Sequence, residues 1–168
     1  MFRPTTSLIL VNRAIRTARV APMTTRSFSS LYKTDSTATG EGRAGHVKNS
    51  EGFAAEMVLP KGLGGPGNSG QNVNPEILFA SGYASCFLGA LRATAGNQKV
   101  KLPGNTSVNA AVELGKVSDG FKLKVDLTVN TPGLDKSTAE KVVKGAHEMC
   151  PYSKATRGNI DVSLKTIV

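Results

Sequence analysis

The chain has 168 residues, of which 39% are hydrophobic and 20% charged, the balance of one ordinary globular domain. No apolar run approaches the roughly 20 residues of a spanning helix, so membrane insertion is not expected. The formal charge of +9 raises the question of a nucleic-acid partner.

Residues 1–30 answer much of that question. They hold Arg3, Arg13, Arg16, Arg19 and Arg26 with no lysine and no acid, so only +4 remains on the rest. Arg13, Arg16 and Arg19 recur at helical spacing, while Leu8, Ile9, Val11 and Ile15 lie largely off their face. An amphipathic, arginine-rich, acid-free start reads as a mitochondrial transit peptide over 1–30, and Arg26-Ser27-Phe28 as a processing site near Phe28. The alternative is a basic tail that stays attached. The expected domain is then 31–168, in the mitochondrion, most naturally the matrix.

Within it, 31–40 is Ser/Thr-rich with weak alternation and reads as an edge strand, followed by a glycine-rich bend over 40–45. Residues 46–48 and 53–59 read as a hairpin, and 60–73 as a loop dense in Gly, Pro, Asn and Ser. Asn74-Pro75-Glu76 opens a helix with a capping side chain, a proline at the first position and an acid in the first turn. That helix runs to about Ala95 and is apolar nearly all round, which predicts a buried central helix. Val108, Ala110, Val112 and Leu114, then Phe121, Leu123, Val125, Leu127 and Val129, alternate with polar or small residues. They predict two antiparallel strands turned by Ser118-Asp119-Gly120. Ser137-Thr138-Ala139-Glu140 is a capping box, and the stripe Ala139, Val142, Val143, Ala146 continues to Cys150, where Pro151 ends the helix. A last strand spans 160–167. The fold class is α+β, an antiparallel sheet packed on a buried central helix.

The two cysteines, Cys86 and Cys150, match neither a zinc ribbon nor a Cys-x-x-Cys spacing. By counting alone they are two buried free thiols. Cys86 lies mid-helix with Gly82, Gly89, Ala90 and Ala93 around it, small residues that allow a backbone or a substrate to come close. Far from the helix start, its thiolate needs a cation from elsewhere. After the leader the arginines are Arg43, Arg92 and Arg157. Arg43, in the glycine-rich bend, is free to fold over a pocket; Arg157 suits a salt bridge and Arg92 a helix end. Gly62-Leu63-Gly64-Gly65-Pro66-Gly67 lacks the Gly-Lys-Ser/Thr ending of a phosphate loop. His147 and Cys150, with His46 as a third, have ligand-like spacing, but a Cys150 facing the core would not reach a metal, and none is expected.

Two segments, residues 74–91 containing Ala84-Ser85-Cys86 and residues 150–162 opening Cys150-Pro151-Tyr152-Ser153, resemble the organic hydroperoxide resistance branch of the OsmC/Ohr superfamily. The likeness covers 31–168. The resemblance implies an intertwined homodimer and a peroxidase without bound cofactor that reduces organic hydroperoxides. It implies that Cys86 is the peroxidatic cysteine, Cys150 its disulfide partner, Arg43 the catalytic arginine and Glu76 the carboxylate that orients it. It also implies an external dithiol reductant, the dihydrolipoyl group of a lipoylated protein. Ala44 stands where the family often has an acid, and Lys154 where it often has Asn. Ten residues separate Glu76 from Cys86, about 15 Å along a straight helix. One arginine serves both only if the helix bends, the side chain bridges them, or a partner chain contributes; the expectation is a site that depends on the dimer.

Three other readings compete. The sister OsmC branch runs the same chemistry with a different peroxide preference. A basic RNA-associated mitochondrial module would need more than +4 and an RNP-like motif, and nucleic acid is not the expected partner. A noncatalytic relic would have no need for both cysteines.

Overall fold

The computed structural model describes residues 28–168. The leader expected over 1–30 lies outside the described residues but for its last three. Residues 28–33 carry no helix or strand, and the body of the fold is Thr34–Val168.

The body opens with a small antiparallel sheet of β1 (Thr37–Gly40), β2 (Gly45–Lys48) and β3 (Ala54–Glu56). The edge strand is shorter than the expected 31–40, and the glycine-rich bend is the turn between β1 and β2. Its geometry demands glycine. Gly40 and Gly42 have φ of 75° and 64°, and a Cβ on Gly45 would lie 2.0 Å from the carbonyl oxygen of Thr39.

The helix α1 (Pro75–Asn97) starts as read, with the Asn74 side chain accepting from the Ile77 N–H at 2.8 Å. It passes through Gly96 and Asn97 before Gln98 caps it. By length and composition α1 matches a membrane-spanning helix, 23 residues containing an 18-residue stretch of mean hydropathy 1.2. What it does in this fold is pack Tyr83, Phe87, Leu91 and Ala95 against the strand Ser107–Val117 and the helix Lys136–Met149. It is not covered all round: Ile77, Ser81, Ser85, Gly89 and Ala93 form an exposed stripe one turn apart. The expected fully buried helix is, within one chain, buried on one side.

The long strands β4 (Ser107–Val117) and β5 (Gly120–Asn130) pair antiparallel, bringing Val108, Ala110 and Val112 opposite Val129, Leu127 and Val125. Val125, Leu127 and Val129 are fully buried, as their alternation requires. Phe121 keeps the phase but is exposed at the hairpin tip, beside Lys116. Then α2 (Lys136–Met149) and α3 (Pro151–Thr156) lead to β6 (Asp161–Ile167). The last strand pairs parallel to β5, in a sheet ordered β4-β5-β6. The antiparallel pairing read for the two long strands is present, and β6 adds a parallel neighbour to it. The two helices carry the chain back to the end where β5 began, so β6 must run the same way.

Two helix boundaries also differ from expectation. The cap of α2 is Asp135, whose carboxylate accepts from the Thr138 N–H at 2.9 Å and from the Ser137 hydroxyl. Pro151 ends α2 but begins α3, as the first residue of a helix it cannot disrupt there. Cys150 is the hinge between them, with non-helical φ −58° and ψ 125°.

Candidate active site

Cys86 lies in the middle of α1, and the hinge delivers Cys150 to it. Cys150 is fully buried within the cluster of Tyr83, Phe87, Leu91 and Ala146, where the apolar stripe of α2 leads it. Its Sγ lies 3.5 Å from Cys86 Sγ, the thiol of Cys150 donating. Both are free thiols. Two sulfurs 64 residues apart thus meet at van der Waals distance.

The approach depends on how α3 seats on α1. A Cβ on Gly82 would lie 2.6 Å from the Tyr152 hydroxyl, so the notch read as room for a substrate or backbone is filled by this phenol. The Tyr152 ring sits against Phe79 and Tyr83, with centroids 5.8 and 5.6 Å apart. Beneath it the Tyr83 hydroxyl lies 3.0 Å from Ser153 Oγ and 3.3 Å from Thr156 Oγ1.

Burial pushes the Cys86 thiol up from its ordinary value, and the neighbouring Cys150 thiol adds to that. The Tyr152 backbone N–H opposes the shift by donating to the sulfur. Pro151 has no N–H, so Tyr152 offers the first donor of α3, and Cys150 makes no side-chain cap to occupy it. The cation that the resemblance assigns to this thiolate is Arg43.

Arg43 instead forks onto Glu76. Its Nη1 donates to Oε2 at 2.9 Å and its Nη2 to Oε1 at 2.6 Å, a planar two-pronged pair that a lysine could not make. The hydrogen bonds hold the Glu76 carboxyl below its ordinary range, against burial, and hold the guanidinium proton still more firmly. Glu76 is in the first turn of α1, and α1 is one helix from there to Asn97, so Cys86 lies about 15 Å further along. The structure therefore makes two pairs, Cys86 with Cys150 and Arg43 with Glu76, and does not join them within one chain. Beside Glu76 opens a cleft of about 380 Å³ with apolar walls from Leu63, Ile77, Ala80, Val112 and Leu114.

Other candidates are occupied elsewhere. Arg157 donates to the His147 carbonyl at 3.0 Å, stabilising the last turn of α2 rather than meeting an acid. His46 pairs with Glu56 across β2 and β3 at 2.8 Å. Burial, with the nearby Arg157 charge, pushes the His147 imidazole below its ordinary range. Among the described residues no group of three or more His, Cys, Asp or Glu gathers as metal ligands do. The residues missed in the sequence are Tyr83, Tyr152, Ser153 and Thr156. One signal was available for two of them, since Tyr83 stands one helical turn before Cys86 and Ser153 one turn after Cys150.

The OsmC-like protein family matches residues 67–165. The chain is 48% identical over 136 residues to the organic hydroperoxide resistance protein of Xanthomonas axonopodis pv. citri, covering 80% of this chain and 93% of that one. It is 42% identical over 135 residues to the organic hydroperoxide resistance protein OhrB of Bacillus subtilis, covering 80% and 97%. The crystal structure of an organic hydroperoxide resistance protein from Legionella pneumophila superposes with a TM-score of 0.77 at 44% identity, over 83% of this chain and 100% of that chain. That of OhrB of Bacillus subtilis gives 0.71 at 43%, over 82% and 99%. The fold is thus the OsmC/Ohr fold, antiparallel sheets with helices, and the chain belongs to the OsmC/Ohr family.

Proposed function

We propose that this chain is a two-cysteine thiol peroxidase that reduces organic hydroperoxides to alcohols. The observation that carries the reading is the 3.5 Å approach of the two cysteine sulfurs. The names of its relatives support the substrate class. The Cys86 thiolate attacks the distal peroxide oxygen, the O–O bond breaks, and the alkoxide takes a proton and leaves as the alcohol. Cys86 is left as a sulfenic acid. The Cys150 thiolate attacks that sulfur, the S–O bond breaks, and hydroxide leaves as water with the formation of a Cys86–Cys150 disulfide. An external dithiol, in our reading the dihydrolipoyl group of a lipoylated protein, reopens it by exchange.

Arg43 is assigned the charge on the peroxide oxygens and the stabilisation of the thiolate, and Glu76 the orientation of Arg43. The distance between the two pairs supports a homodimer in which the Arg43–Glu76 pair of one subunit serves the thiols of the other. The exposed stripe of α1 offers a face for that contact. The apolar cleft beside Glu76 fits the organic part of the peroxide. Residues 1–30 act as a mitochondrial leader, which N-terminal sequencing of the native protein checks.

The decisive experiment treats the reduced protein with an alkyl hydroperoxide and maps its cysteines by mass spectrometry. The native protein should form the Cys86–Cys150 disulfide, Cys150→Ser a trapped sulfenic acid on Cys86, and Cys86→Ser neither. Peroxide turnover that survives in Cys86→Ser sinks the proposal. Dihydrolipoamide tested against glutathione and thioredoxin identifies the reductant, and organic hydroperoxide tested against hydrogen peroxide separates the reading from the sister OsmC preference.

A further inference from the structure

Beneath the sulfur pair lies a second pair of facing side chains. Tyr83 precedes Cys86 by three residues on α1, and Ser153 follows Cys150 by three on α3. Tyr83 faces Ser153 at 3.0 Å while Cys86 faces Cys150 at 3.5 Å. The two contacts are successive rungs between segments running in opposite directions, each spaced by about 4.5 Å of helix rise. Tyr83 and Ser153 are fully buried and Thr156 nearly so. Thr156 closes the set, within 3.3 Å of the Tyr83 hydroxyl while donating to the Ser153 carbonyl.

Little local structure fixes α3. It has six residues, far below the length at which a helix holds itself, and its cap residue makes no side-chain capping bond to it. Along the chain it follows α2 through the non-helical Cys150, and its far end touches α2 through the exposed Arg157–His147 carbonyl bond. The angle at which Cys150 meets Cys86 is therefore set by what α3 is tied to. The buried ties are hydroxyls.

We propose that Tyr83 is a positioning residue for disulfide closure: its hydroxyl, bound to Ser153 and Thr156, holds α3 so that the Cys150 sulfur stays opposite Cys86. This rests on the peroxidase reading above, because it concerns the step in which Cys150 attacks the Cys86 sulfenic acid. A bond of about 2.05 Å must form from sulfurs 3.5 Å apart, a closure small enough for side chains when the backbones are fixed. A buried phenol needs partners in any protein. The two roles part when the hydroxyl alone is removed.

The test uses the reduced full-length chain with one equivalent of tert-butyl hydroperoxide, following sulfenic acid by dimedone trapping and disulfide by mass spectrometry. Tyr83→Phe should slow closure roughly tenfold, the scale of one lost buried hydrogen bond, and slow the first attack less. Sulfinic acid on Cys86 should then appear at lower peroxide than in the native protein. Ser153→Ala should act in the same direction, and combining it with Tyr83→Phe should add little, because Tyr83→Phe already removes the contact with Ser153. Should Tyr83→Phe not fold, Ser153→Ala gives the same readout. Thr156→Ser, which keeps the hydroxyl, should close faster than Thr156→Val. Closure at the native rate in Tyr83→Phe or Ser153→Ala, with only melting temperature reduced, overturns the role of Tyr83 and leaves the peroxidase standing. No disulfide in the native protein would instead remove the peroxidase reading, and this inference with it.

Discussion

Cys86 and Cys150 are held by the core, whereas Arg43 and Glu76 are held mainly by each other. The first pair sits between α1 and α3, with Cys150 fully buried and hydroxyls and aromatic rings fixing the elements around it. The second joins a surface turn to the first turn of α1, with the Arg43 side chain 39% exposed and Glu76 15%. The difference matches the work assigned to each. Closing a disulfide needs two sulfurs kept in place, since rescue of the sulfenic acid competes with overoxidation. Meeting a peroxide needs a cation that can accommodate its arrival, and a hairpin turn anchored by one ion pair can do so with little disturbance to the core.

Substitutions separate the two pairs, and the sulfurs should give the largest effects. Cys86→Ser should abolish turnover, while Cys150→Ser should complete one peroxide reduction and then accumulate sulfinic acid, as intact-mass spectrometry would record. Arg43→Ala should lower the rate of the first peroxide attack by roughly 100- to 1,000-fold, the scale of one lost charge stabiliser. It should leave the Cys86–Cys150 disulfide able to form and the melting temperature nearly unchanged. Arg43→Lys should recover only part of the loss, because an ammonium cannot make the fork. A large fall in melting temperature with Arg43→Ala would erase the contrast between the pairs.

Titration is expected to give smaller, more diagnostic effects. Burial, with the Cys150 thiol adding to it, pushes the Cys86 thiol above its ordinary range in the isolated chain. Alkylation of Arg43→Ala across pH should report that high midpoint, and the native protein a lower one. Coincident curves would restrict Arg43 to the peroxide oxygens. Glu76 shifts the opposite way, below its ordinary 4.5, chiefly through the Arg43 hydrogen bonds. A depressed carboxyl contributes stability above its unfolded value, and that contribution fades as pH falls through the lowered one. The melting-temperature gap between native protein and Glu76→Gln should therefore be steady near neutrality and narrow below about pH 4.5.

The sequence makes the scaffold easier to read than the site. Alternation through Val108–Leu114 and Leu123–Val129, and the Asn74-Pro75-Glu76 start, mark β4, β5 and α1 because burial and capping act on neighbouring residues. The parallel direction of β6 leaves no such trace, since side chains alternate alike in either orientation and only the path through α2 and α3 decides it. Pro151 read as a stop because a proline ends one helix by the same chemistry that lets it begin another. Composition and spacing could not show that Cys150 reaches Cys86, or that Arg43 reaches Glu76. Those pairings came from resemblance, and both contacts occur in the structure. The small residues around Cys86 mark a close approach without naming what approaches, and at Gly82 it is the Tyr152 phenol.

The smallest expected effect tests where the looser pair is anchored. Asn74 is nearly buried, accepts from the Ile77 N–H, and donates to the Asn68 side chain at 3.1 Å. It fixes the first turn of α1, and Glu76 lies in that turn. Asn74→Ala should cost about 1 kcal/mol of stability, the usual effect of losing such a cap. If Glu76 is the only firm seat Arg43 has, the frayed turn should slow the peroxide step while the rate of disulfide closure holds. Asn74→Asp keeps an acceptor for the Ile77 N–H and should restore the peroxide rate in part, limited by a second negative charge near Glu76. Equal slowing of both steps in Asn74→Ala would mean that the start of α1 also governs the sulfurs ten residues on, and that the two pairs share one mechanical support.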